Sequence, residues 1–428
     1  MTARDYLAIF SNRRMATMLL LGFSSGLPLA LTTGTLQAWA TVEGLDIKTI
    51  SFLTLVGSAY TLKFLWAPLM DRFIPPLPAR FGRRRGWMIV TQLLLMAAIA
   101  SMGSLSPKHA LFALACMAIL VAFFSASQDI AFDAYRTDVL KTDERGAGAA
   151  VSVMGYRLAM LVSGGLALVL ADKWLGWQGM YWFMAALMSV GLVATLLATE
   201  PDIAVRPPKT LDEAVIGPLK DFFSNSGAWV IMALIVLYKL GDAFAGSLST
   251  TFLIRGVGFS AAEVGAINKV LGLIATIVGA LVGGALMVRL KLYGALMFFG
   301  ILQAVSNLGF WVLAVTPKSY TTMAAVVGVE NLCGGMGTAA FVAFLMALCN
   351  QRFSATQFAL LSALAAVGRT YLAGPGSGYM VEALGWATFF AITVFIALPG
   401  LALLWWQRAA IIGLENSTKT ASAETATP

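Results

Sequence analysis

Long apolar stretches separated by short polar segments follow one another along almost the whole chain. About 20 consecutive apolar residues suffice to cross a bilayer as an α-helix. Each apolar window is bounded by charged residues, Pro or Gly, and the windows cover residues 15–40, 48–70, 86–105, 110–135, 147–171, 177–198, 227–252, 262–288, 294–315, 320–349, 355–382 and 386–407. The pattern therefore predicts an all-α membrane protein with twelve transmembrane helices.

The composition supports the same class. Hydrophobic residues make up 59% of the 428 residues and charged residues only 12%, which is unlike a soluble domain. The three cysteines, Cys116, Cys333 and Cys349, lie inside apolar windows, where Cys usually acts as a small hydrophobic residue. We therefore expect no disulfide framework.

Lys and Arg residues predict the orientation, because positively charged loops tend to stay in the cytoplasm. If the N-terminus is inside, the cytoplasmic segments contain 19 of the 29 Lys and Arg residues. Both termini are therefore expected in the cytoplasm. The same bias accounts for the net charge of +8, so no nucleic-acid partner is needed to explain it.

A polar, Pro-containing segment divides the windows into two sets of six. This division predicts an N-terminal half (1–198), a cytoplasmic linker (199–226), a C-terminal half (227–408) and a polar cytoplasmic tail (409–428).

The two halves also resemble each other in sequence. "TVEGLDIKTISFLTLVGSAY" (41–60) aligns with "IRGVGFSAAEVGAINKVLGL" (254–273), and "GYR" (155–157) aligns with "VGR" (367–369). The offset between the paired stretches is about half of the chain. Two six-helix halves of this kind are typical of major facilitator transporters, which bind their substrate between the halves near the midplane.

The loop between the second and third windows contains a basic cluster. "APLMDRFIPPLPARFGRRRGW" (67–87) resembles the major facilitator loop signature, although nine residues, three of them Pro, separate its two parts. One interpretation is an anchor that keeps the loop in the cytoplasm. The other is a gate, in which Asp71 accepts hydrogen bonds while the inside is closed, and the gating candidates are Asp71, Arg72, Arg83 and Arg84.

Nine ionisable side chains lie within the predicted helices. A charge at the centre of a bilayer costs about 3 kcal/mol, so such residues usually face a cavity or a partner. The nine nearly balance in charge, which favours pairing, and they are Lys63, Asp129, Asp133, Arg157, Lys239, Asp242, Lys269, Glu330 and Arg369.

Asp129 is the first candidate proton carrier. It is four residues from Asp133, so the two carboxylates share one helix face, and Asp133 is expected to pair with Arg136 near the helix end. A carboxylate between an apolar environment and Arg157 can exchange a proton as its surroundings change. The alternative is a permanent Asp129–Arg157 salt bridge that stabilises the helix bundle.

The second half contains further candidates. Glu330, and also Asp242, are predicted to carry protons, although Asp242 is three residues from Lys239 and can pair with it locally. Candidate substrate ligands are amide, aromatic and basic side chains, any of which can instead hold helices together. They are Gln37, Trp39, Gln128, Arg157, Asn268, Lys269, Asn331 and Arg369.

Two apparent catalytic patterns are rejected. "GFSSG" (22–26) matches the Gly-x-Ser-x-Gly elbow of hydrolases, but it lies inside an apolar helix rather than at a strand-to-helix turn. His109 is the only histidine and lies near the end of an outer loop, so neither a catalytic triad nor a metal site can be assembled around it. We expect no enzyme activity, no metal and no cofactor.

Five stretches of the chain resemble the muropeptide permeases, a family of major facilitator transporters in Gram-negative inner membranes, and the resemblance extends over essentially all twelve windows. These stretches are "LGFSSGLPLALTTGTLQAW" (21–39), "SASQDIAFDAYRTDVL" (125–140), "ERGAGAAVSVMGYRLAMLVSGGLAL" (144–168), "LYKLGDAF" (237–244) and "ENLCGGMGTAAFVAFLMALCN" (330–350). In one respect the chain departs from some members, which continue into further apolar spans where residues 409–428 are polar.

The resemblance implies a monomeric, proton-coupled importer of N-acetylglucosaminyl-1,6-anhydro-N-acetylmuramyl peptides. Such an importer serves peptidoglycan recycling, and the returned muropeptides also induce a chromosomal β-lactamase. Two alternatives remain open at this point. One is a carrier of another bulky solute such as an acyl-coenzyme A, and the other is a non-transporting membrane assembly factor.

Overall fold

The computed structural model describes residues 13–67, 70, 73, 75, 81–140, 145–199, 227–349 and 354–414. Every regular element in these residues is helical, which confirms the predicted all-α class. Helices are the expected solution in lipid, because each one satisfies its backbone N–H and C=O groups internally.

The helices before the central linker begin at Arg13. They are α1 (Arg13–Thr32), α2 (Gly34–Val42), α3 (Ile47–Phe52), α4 (Ser58–Leu62), α5 (Arg83–Gly103), α6 (Leu111–Val139), α7 (Arg145–Met160), α8 (Ala167–Leu170), α9 (Gly176–Leu187) and α10 (Ser189–Leu197). Short 3₁₀ turns cover Leu53–Gly57 and Lys63–Leu65, and π-helical turns cover Leu161–Leu166 and Ala171–Leu175.

The helices after the linker begin at Ala228. They are α11 (Ala228–Tyr238), α12 (Leu240–Ser247), α13 (Ser249–Thr251), α14 (Ala261–Val264), α15 (Gly272–Ser306), α16 (Leu308–Val315), α17 (Tyr320–Ala347), α18 (Ser354–Val367) and α19 (Gly374–Trp406). Further π-helical turns cover Phe252–Gly256, Gly265–Leu271 and Gly368–Ala373.

Eight continuous helical stretches in the described residues are long and apolar enough to cross a membrane. Three of them, Gly148–Leu197, Ala261–Val315 and Leu360–Trp406, contain 50, 55 and 47 residues, which is enough for two crossings each. These stretches coincide with eleven of the twelve predicted windows. The remaining window, 48–70, contains α3 and α4 with the 3₁₀ turns between and after them.

Each of the three double-length stretches changes direction at one residue with positive φ. The residues are Gly176 (φ 65°, ψ 174°), Lys291 (φ 59°, ψ 177°) and Gly385 (φ 74°, ψ 168°). This conformation cannot continue a helix, and glycine is the residue that normally adopts it. The chain therefore reverses there without a long polar loop.

These turns repeat along the sequence. Gly82 (φ 68°, ψ −175°) precedes α5, and Lys291 has the same conformation at the corresponding place in the second half. The separation between Gly82 and Lys291 along the chain equals that between Gly176 and Gly385. The backbone thus shows the internal repeat that the sequence predicts, with an offset of about half of the chain.

The N-terminal caps of two further helices also correspond. Asp46 caps α3 and Ser260 caps α14, and each lies two residues after a positive-φ glycine, Gly44 or Gly258. Hydrogen bonds from the hydroxyl and backbone N–H of Thr49 to Asp46 hold the pKa of this loop carboxyl below its usual value. A side-chain oxygen at this position satisfies a helix N–H that has no intrahelical partner.

The described residues form two compact units. The first consists of residues within Met1–Leu45, Val56–Lys209 and Ser260–Ala266. The second consists of residues within Asp46–Leu55, Thr210–Phe259 and Ile267–Pro428. The segment that contains α3 therefore packs with helices of the second sequence half, and α14 packs with helices of the first.

Glycines allow the closest helix crossings inside each unit. In the first unit, a Cβ at Gly22 of α1 would collide with the backbone carbonyl of Ser152 in α7. In the second, a Cβ at Gly279 of α15 would collide with the carbonyl of Leu332 in α17. Small residues at such contacts let backbones approach closely, which is how helices associate in a membrane.

Candidate functional site

Asp129 lies on α6 and contacts α1 inside the first unit. Ser25 of α1 donates a hydrogen bond of 2.5 Å from its hydroxyl to Asp129 Oδ1. One residue earlier on both helices, Gln128 Nε2 donates to Ser24 Oγ at 3.0 Å. The two helices are therefore joined by a pair of adjacent polar contacts.

No salt bridge joins Asp129 to Arg157 among the ion pairs of the described residues. The permanent Asp129–Arg157 pair that sequence reasoning left open is thus not formed in this structure. Lys63, in the 3₁₀ turn Lys63–Leu65, instead provides a positive charge that acts on Asp129. Tyr156 of α7 lies within the electrostatic influence of both Asp129 and Arg157.

Asp133, one turn further along α6, has a different environment. Its Oδ1 pairs with Arg136 at 3.0 Å, and 53% of its side chain is exposed. This confirms the local ion pair expected from the sequence. Asp129 is more enclosed and has no such partner among the described residues, so the two carboxylates of one helix face differ in chemistry.

The second unit contains a larger cluster of charges. Lys239 Nζ lies 3.7 Å from Asp242 Oδ2, as their spacing of three residues predicts. The same ammonium donates to Gln303 Oε1 at 3.2 Å and to Thr338 Oγ1 at 3.3 Å. Lys239 thus connects α12 and its neighbouring turn to α15 and α17.

Glu330 on α17 belongs to the same cluster. Asn331 Nδ2 donates to Glu330 Oε2 at 2.7 Å, and Asn331 Oδ1 accepts from Thr276 at 3.2 Å. The charge of Glu330 also interacts with those of Asp242, Lys239 and Lys269. Two carboxylates and two ammonium groups are therefore electrostatically linked within one unit.

Three predicted ligands lie in π-helical turns. Asn268 and Lys269 belong to Gly265–Leu271, and Arg369 belongs to Gly368–Ala373. Lys269 Nζ donates to Thr250 Oγ1 at 3.0 Å, and its charge interacts with that of Arg369, whose side chain is exposed. A π-helical turn widens the helix locally and is frequent at functional sites.

Two other predicted ligands are enclosed by packing. Trp39 is 1% exposed, and its ring stacks on Trp177 at a centroid distance of 6.0 Å and contacts Tyr181 at 5.2 Å. Gln37 is 8% exposed. Gln128 is also buried, but its Oε1 has no hydrogen-bond partner among the described residues.

The basic loop is described only in part, since Asp71 and Arg72 lie outside the described residues. Arg83 and Arg84 are at the start of α5, where Arg84 Nε pairs with Asp138 at 3.0 Å. The two side chains are 11% and 8% exposed, so this is an enclosed ion pair within the first unit.

Arg85 and Arg13 donate hydrogen bonds to the backbone carbonyls at the end of α10. Arg85 donates to the carbonyls of Thr195 and Leu196, and Arg13 donates to the carbonyl of Leu197 at 2.7 Å. Positive side chains are favourable at the end of a helix, where carbonyls lack intrahelical donors. Arg85 and Arg13 therefore stabilise the end of α10 within the first unit.

Sequence reasoning missed several of these partners. Ser24 and Ser25 belong to the rejected "GFSSG" stretch, and Asp138 and Thr338 were not singled out within the stretches that carry the family resemblance. Gln303, in contrast, is one of the amide residues that the sequence predicts as a possible cavity lining. The signal that could have identified the four missed residues is their polarity within or next to apolar windows, which many interhelical contacts share. In the described residues, no cluster of three His, Cys, Asp or Glu side chains is able to hold a metal ion.

Comparison with known sequences identifies a related group. Residues 18–373 match the profile of the Major Facilitator Superfamily. The chain is 65% identical over 400 residues to the "Anhydromuropeptide permease" of Escherichia coli (strain K12), covering 94% of this chain and 81% of that protein.

Comparison with solved structures gives the same fold. The chain matches a peptide transporter POT in complex with sulfate with a TM-score of 0.70 at 16% identity, covering 94% of this chain and 95% of that one. It matches a bacterial homolog of the human lysosomal transporter Spinster with a TM-score of 0.69 at 15% identity, covering 94% and 97%. At these identities the likeness concerns the fold alone.

Proposed function

Because this chain belongs to the Major Facilitator Superfamily, we propose that it imports anhydromuropeptides together with protons by alternating access. The observation that carries the proposal is the 65% identity to the E. coli anhydromuropeptide permease over 400 residues. The chain is a transporter rather than an enzyme, in agreement with its relatives. This similarity does not favour an acyl-coenzyme A carrier or an assembly factor.

The chemistry of the substrate class fits the polar residues of the two units. A muropeptide offers sugar hydroxyls, amides, carboxylates and an amine, which require hydrogen-bonding groups and charges of both signs. Arg157 and the exposed Arg369 are the proposed ligands for carboxylates, since a guanidinium binds them through two hydrogen bonds. Lys269 adds a third positive charge near Arg369.

The amides are the proposed ligands for sugar and peptide groups. Gln128 has an unpaired buried Oε1 among the described residues, while Asn268 and Asn331 lie beside the charge cluster of the second unit. Trp39 and Gln37 are so enclosed that we assign them to helix packing in the arrangement described here. Both remain available for tests by substitution.

Proton coupling is assigned first to Asp129 and second to Glu330. Asp129 accepts a short hydrogen bond from Ser25 and interacts with the charge of Lys63. Among the described residues, it forms no salt bridge within 4.0 Å that would keep it ionised. Glu330 is linked to Asp242, a third candidate, through their mutual electrostatic interaction. A substrate that displaces Lys239 or Lys269 would remove a positive charge that acts on Glu330.

The cellular setting follows from the same proposal. The chain is a multi-pass membrane protein, and we place it in a bacterial inner membrane as a monomer with both termini in the cytoplasm. The imported muropeptides would enter peptidoglycan recycling and would also provide the signal for induction of a chromosomal β-lactamase.

The deciding experiment is uptake into proteoliposomes. Labelled disaccharide anhydromuropeptide is supplied outside, with and without an inward proton gradient, and accumulation is measured over time. Coupled import predicts internal accumulation above the external concentration only when the gradient is present. Equal, non-accumulating flux under both conditions would overturn proton coupling.

Substrate identity is tested in a separate competition experiment. Unlabelled anhydromuropeptide is expected to compete with the labelled solute, whereas an acyl-coenzyme A of similar size is expected not to compete. Absence of any muropeptide flux from folded protein, together with co-purification of a stable protein partner, would support the assembly-factor alternative instead.

A further inference from the structure

Three acceptors lie around the ammonium group of Lys239 in the second unit. Gln303 Oε1 and Thr338 Oγ1 accept from Nζ at 3.2 and 3.3 Å, and Asp242 Oδ2 lies 3.7 Å away. The two neutral acceptors belong to α15 and α17. These two helices therefore determine where the charge of Lys239 lies relative to Asp242.

The chemistry of Lys239 also decides which end of the Gln303 amide faces it. An ammonium group has only donors, so Gln303 must present its oxygen, and its Nε2 then needs a different acceptor. Gln303 is 4% exposed, and its Nε2 has no hydrogen-bond partner among the described residues. A buried amide donor without an acceptor is costly, so we expect a bound group beside it that accepts a hydrogen bond.

Asn307 lies one helical turn after Gln303 and has the same need. Side chains four residues apart on a helix are neighbours. Asn307 is fully buried, and neither its Oδ1 nor its Nδ2 has a partner among the described residues. A water molecule between the two amides accepts from Gln303 Nε2 and donates to Asn307 Oδ1, so it satisfies an atom of each.

The helix is interrupted at the same place. α15 ends at Ser306, and α16 begins at Leu308. The bond from the backbone N–H of Asn307 to the carbonyl of Gln303 is long, at 3.4 Å, and the N–H of Phe310 bonds to the carbonyl of Asn307 only three residues earlier. Insertion of water into the helical hydrogen-bond ladder is a recognised cause of such breaks.

A glycine of the facing helix leaves room beside Gln303. Its Nε2 lies 3.6 Å from the point that a Cβ at Gly334 of α17 would occupy. Apart from the adjacent α17 backbone, no other atom of the described residues lies within 4 Å of that point. The site is therefore polar on the α15 side and open on the α17 side, as a bound water requires.

We propose that Gln303 and Asn307 bind an internal water molecule, which orients the Gln303 amide so that its oxygen positions Lys239. Without this water, rotation of the amide by half a turn would bring Nε2 to the ammonium, and two donors would then face each other. Gln303 is thus a positioning residue, and Asn307 acts on Lys239 only through the water and Gln303.

The consequence for transport rests on the proposed proton coupling. The charge of Lys239 acts on Glu330 and lies next to Asp242, and both carboxylates are candidate proton carriers. A displaced ammonium group would therefore change how readily they bind a proton. The water site itself does not depend on which solute is carried or on whether transport is coupled.

The test measures the reactivity of Lys239 in purified, substrate-free protein. Acetylation of Lys239 by N-hydroxysuccinimidyl acetate is followed over time by mass spectrometry. Asn307→Leu fills the site with an apolar side chain of similar size, so the Gln303 amide is no longer oriented. Lys239 is then expected to react about fivefold faster, a factor that corresponds to the loss of one hydrogen bond. Asn307→Ser keeps a hydroxyl and space for water, and it should react near the parent rate.

Replacement of Gln303 by Glu separates orientation from packing. A carboxylate presents an oxygen to Lys239 in either orientation, so it needs no water to orient it. Asn307→Leu is therefore expected to have no effect on Lys239 when it is combined with Gln303→Glu. A role of Asn307 in helix packing alone predicts the same increase in both backgrounds.

Two controls accompany these variants. Lys108 is exposed in the first unit, and its acetylation in the same samples serves as the internal reference. Thr316→Val also replaces a polar side chain by an apolar one, but at an exposed position directly after α16. It is expected to leave the reactivity of Lys239 unchanged.

Two results would overturn the water site. One is a parent rate in Asn307→Leu, and the other is an equal increase with and without Gln303→Glu. Should Asn307→Leu not fold, the smaller Asn307→Val replaces it, with the same expectation. In proteoliposomes, Asn307→Leu is expected to lower gradient-driven accumulation more than counterflow. If the parent protein does not accumulate substrate, the proposed coupling fails, while the acetylation rates still decide whether the water site exists.

Discussion

The hydroxyl of Ser25 donates a hydrogen bond of 2.5 Å to Asp129 Oδ1 and thereby joins α1 to α6. Among the ion pairs of the described residues, none includes this carboxylate. A hydrogen bond to the ionised form stabilises that form, while an apolar environment opposes it. Small changes around Asp129 can therefore change its protonation. Asp133, one turn further along the same helix, is exposed and paired with Arg136.

Replacement of Asp129 by Asn is expected to abolish gradient-driven accumulation, because Asn keeps the shape of the side chain but cannot carry a proton. Some exchange or binding of substrate should remain. Uptake and counterflow in proteoliposomes measure the two activities separately. Asp133→Asn is the matched control on the same helix face and should retain accumulation. Full accumulation by the Asp129→Asn protein would remove Asp129 from the proton pathway.

The Arg84–Asp138 ion pair predicts a loss of stability when it is broken. Asp138→Asn leaves the enclosed guanidinium without its carboxylate, and loss of one partner from such a pair costs about 3 kcal/mol. Thermal unfolding in detergent should therefore begin at a clearly lower temperature. Asp133→Asn breaks an exposed pair and should cost less than about 1 kcal/mol. Equal destabilisation by the two variants would contradict this account.

Gly22→Ala is expected to destabilise the first unit by about 1–3 kcal/mol, because its Cβ meets a backbone carbonyl that cannot move aside without displacing α7. Gly284→Ala is the control, because this substitution is expected not to lower the stability. It lies in α15 with no atom within 4 Å of its Cβ, so Ala should be neutral or stabilising through its better helix propensity. The ratio of folded to aggregated protein during heating distinguishes the two. A neutral Gly22→Ala would show that α1 and α7 are not in close contact.

Lys291→Gly is expected to stabilise the protein by about 1 kcal/mol, because Lys291 has φ 59° and ψ 177°, a conformation that strains residues with a Cβ. Gly82 occupies the equivalent position in the first half. Arg289→Gly is the control, since Arg289 is an exposed basic residue in the helical part of α15 and its replacement should cost about 1 kcal/mol. Unfolding temperatures that move in the same direction for both variants would argue against strain at Lys291.

The long apolar windows were sufficient to predict the helical class and most helix positions, because only helices satisfy backbone polar groups in lipid without help from neighbours. The internal repeat was also visible in the sequence and reappears as the Gly176 and Gly385 turns. Local pairs such as Lys239–Asp242 followed from their spacing of three residues, since such residues share a helix face.

Contacts between distant segments were decided only by the tertiary structure. Nothing in the sequence indicates that Asp129 would accept from Ser25 rather than pair with Arg157, or that Lys48 would meet Glu382. A side chain's position along a helix depends on local geometry, but its partner depends on how two helices pack. Many polar residues have several possible partners of similar strength, and the close approach of glycine-containing helices selects among them.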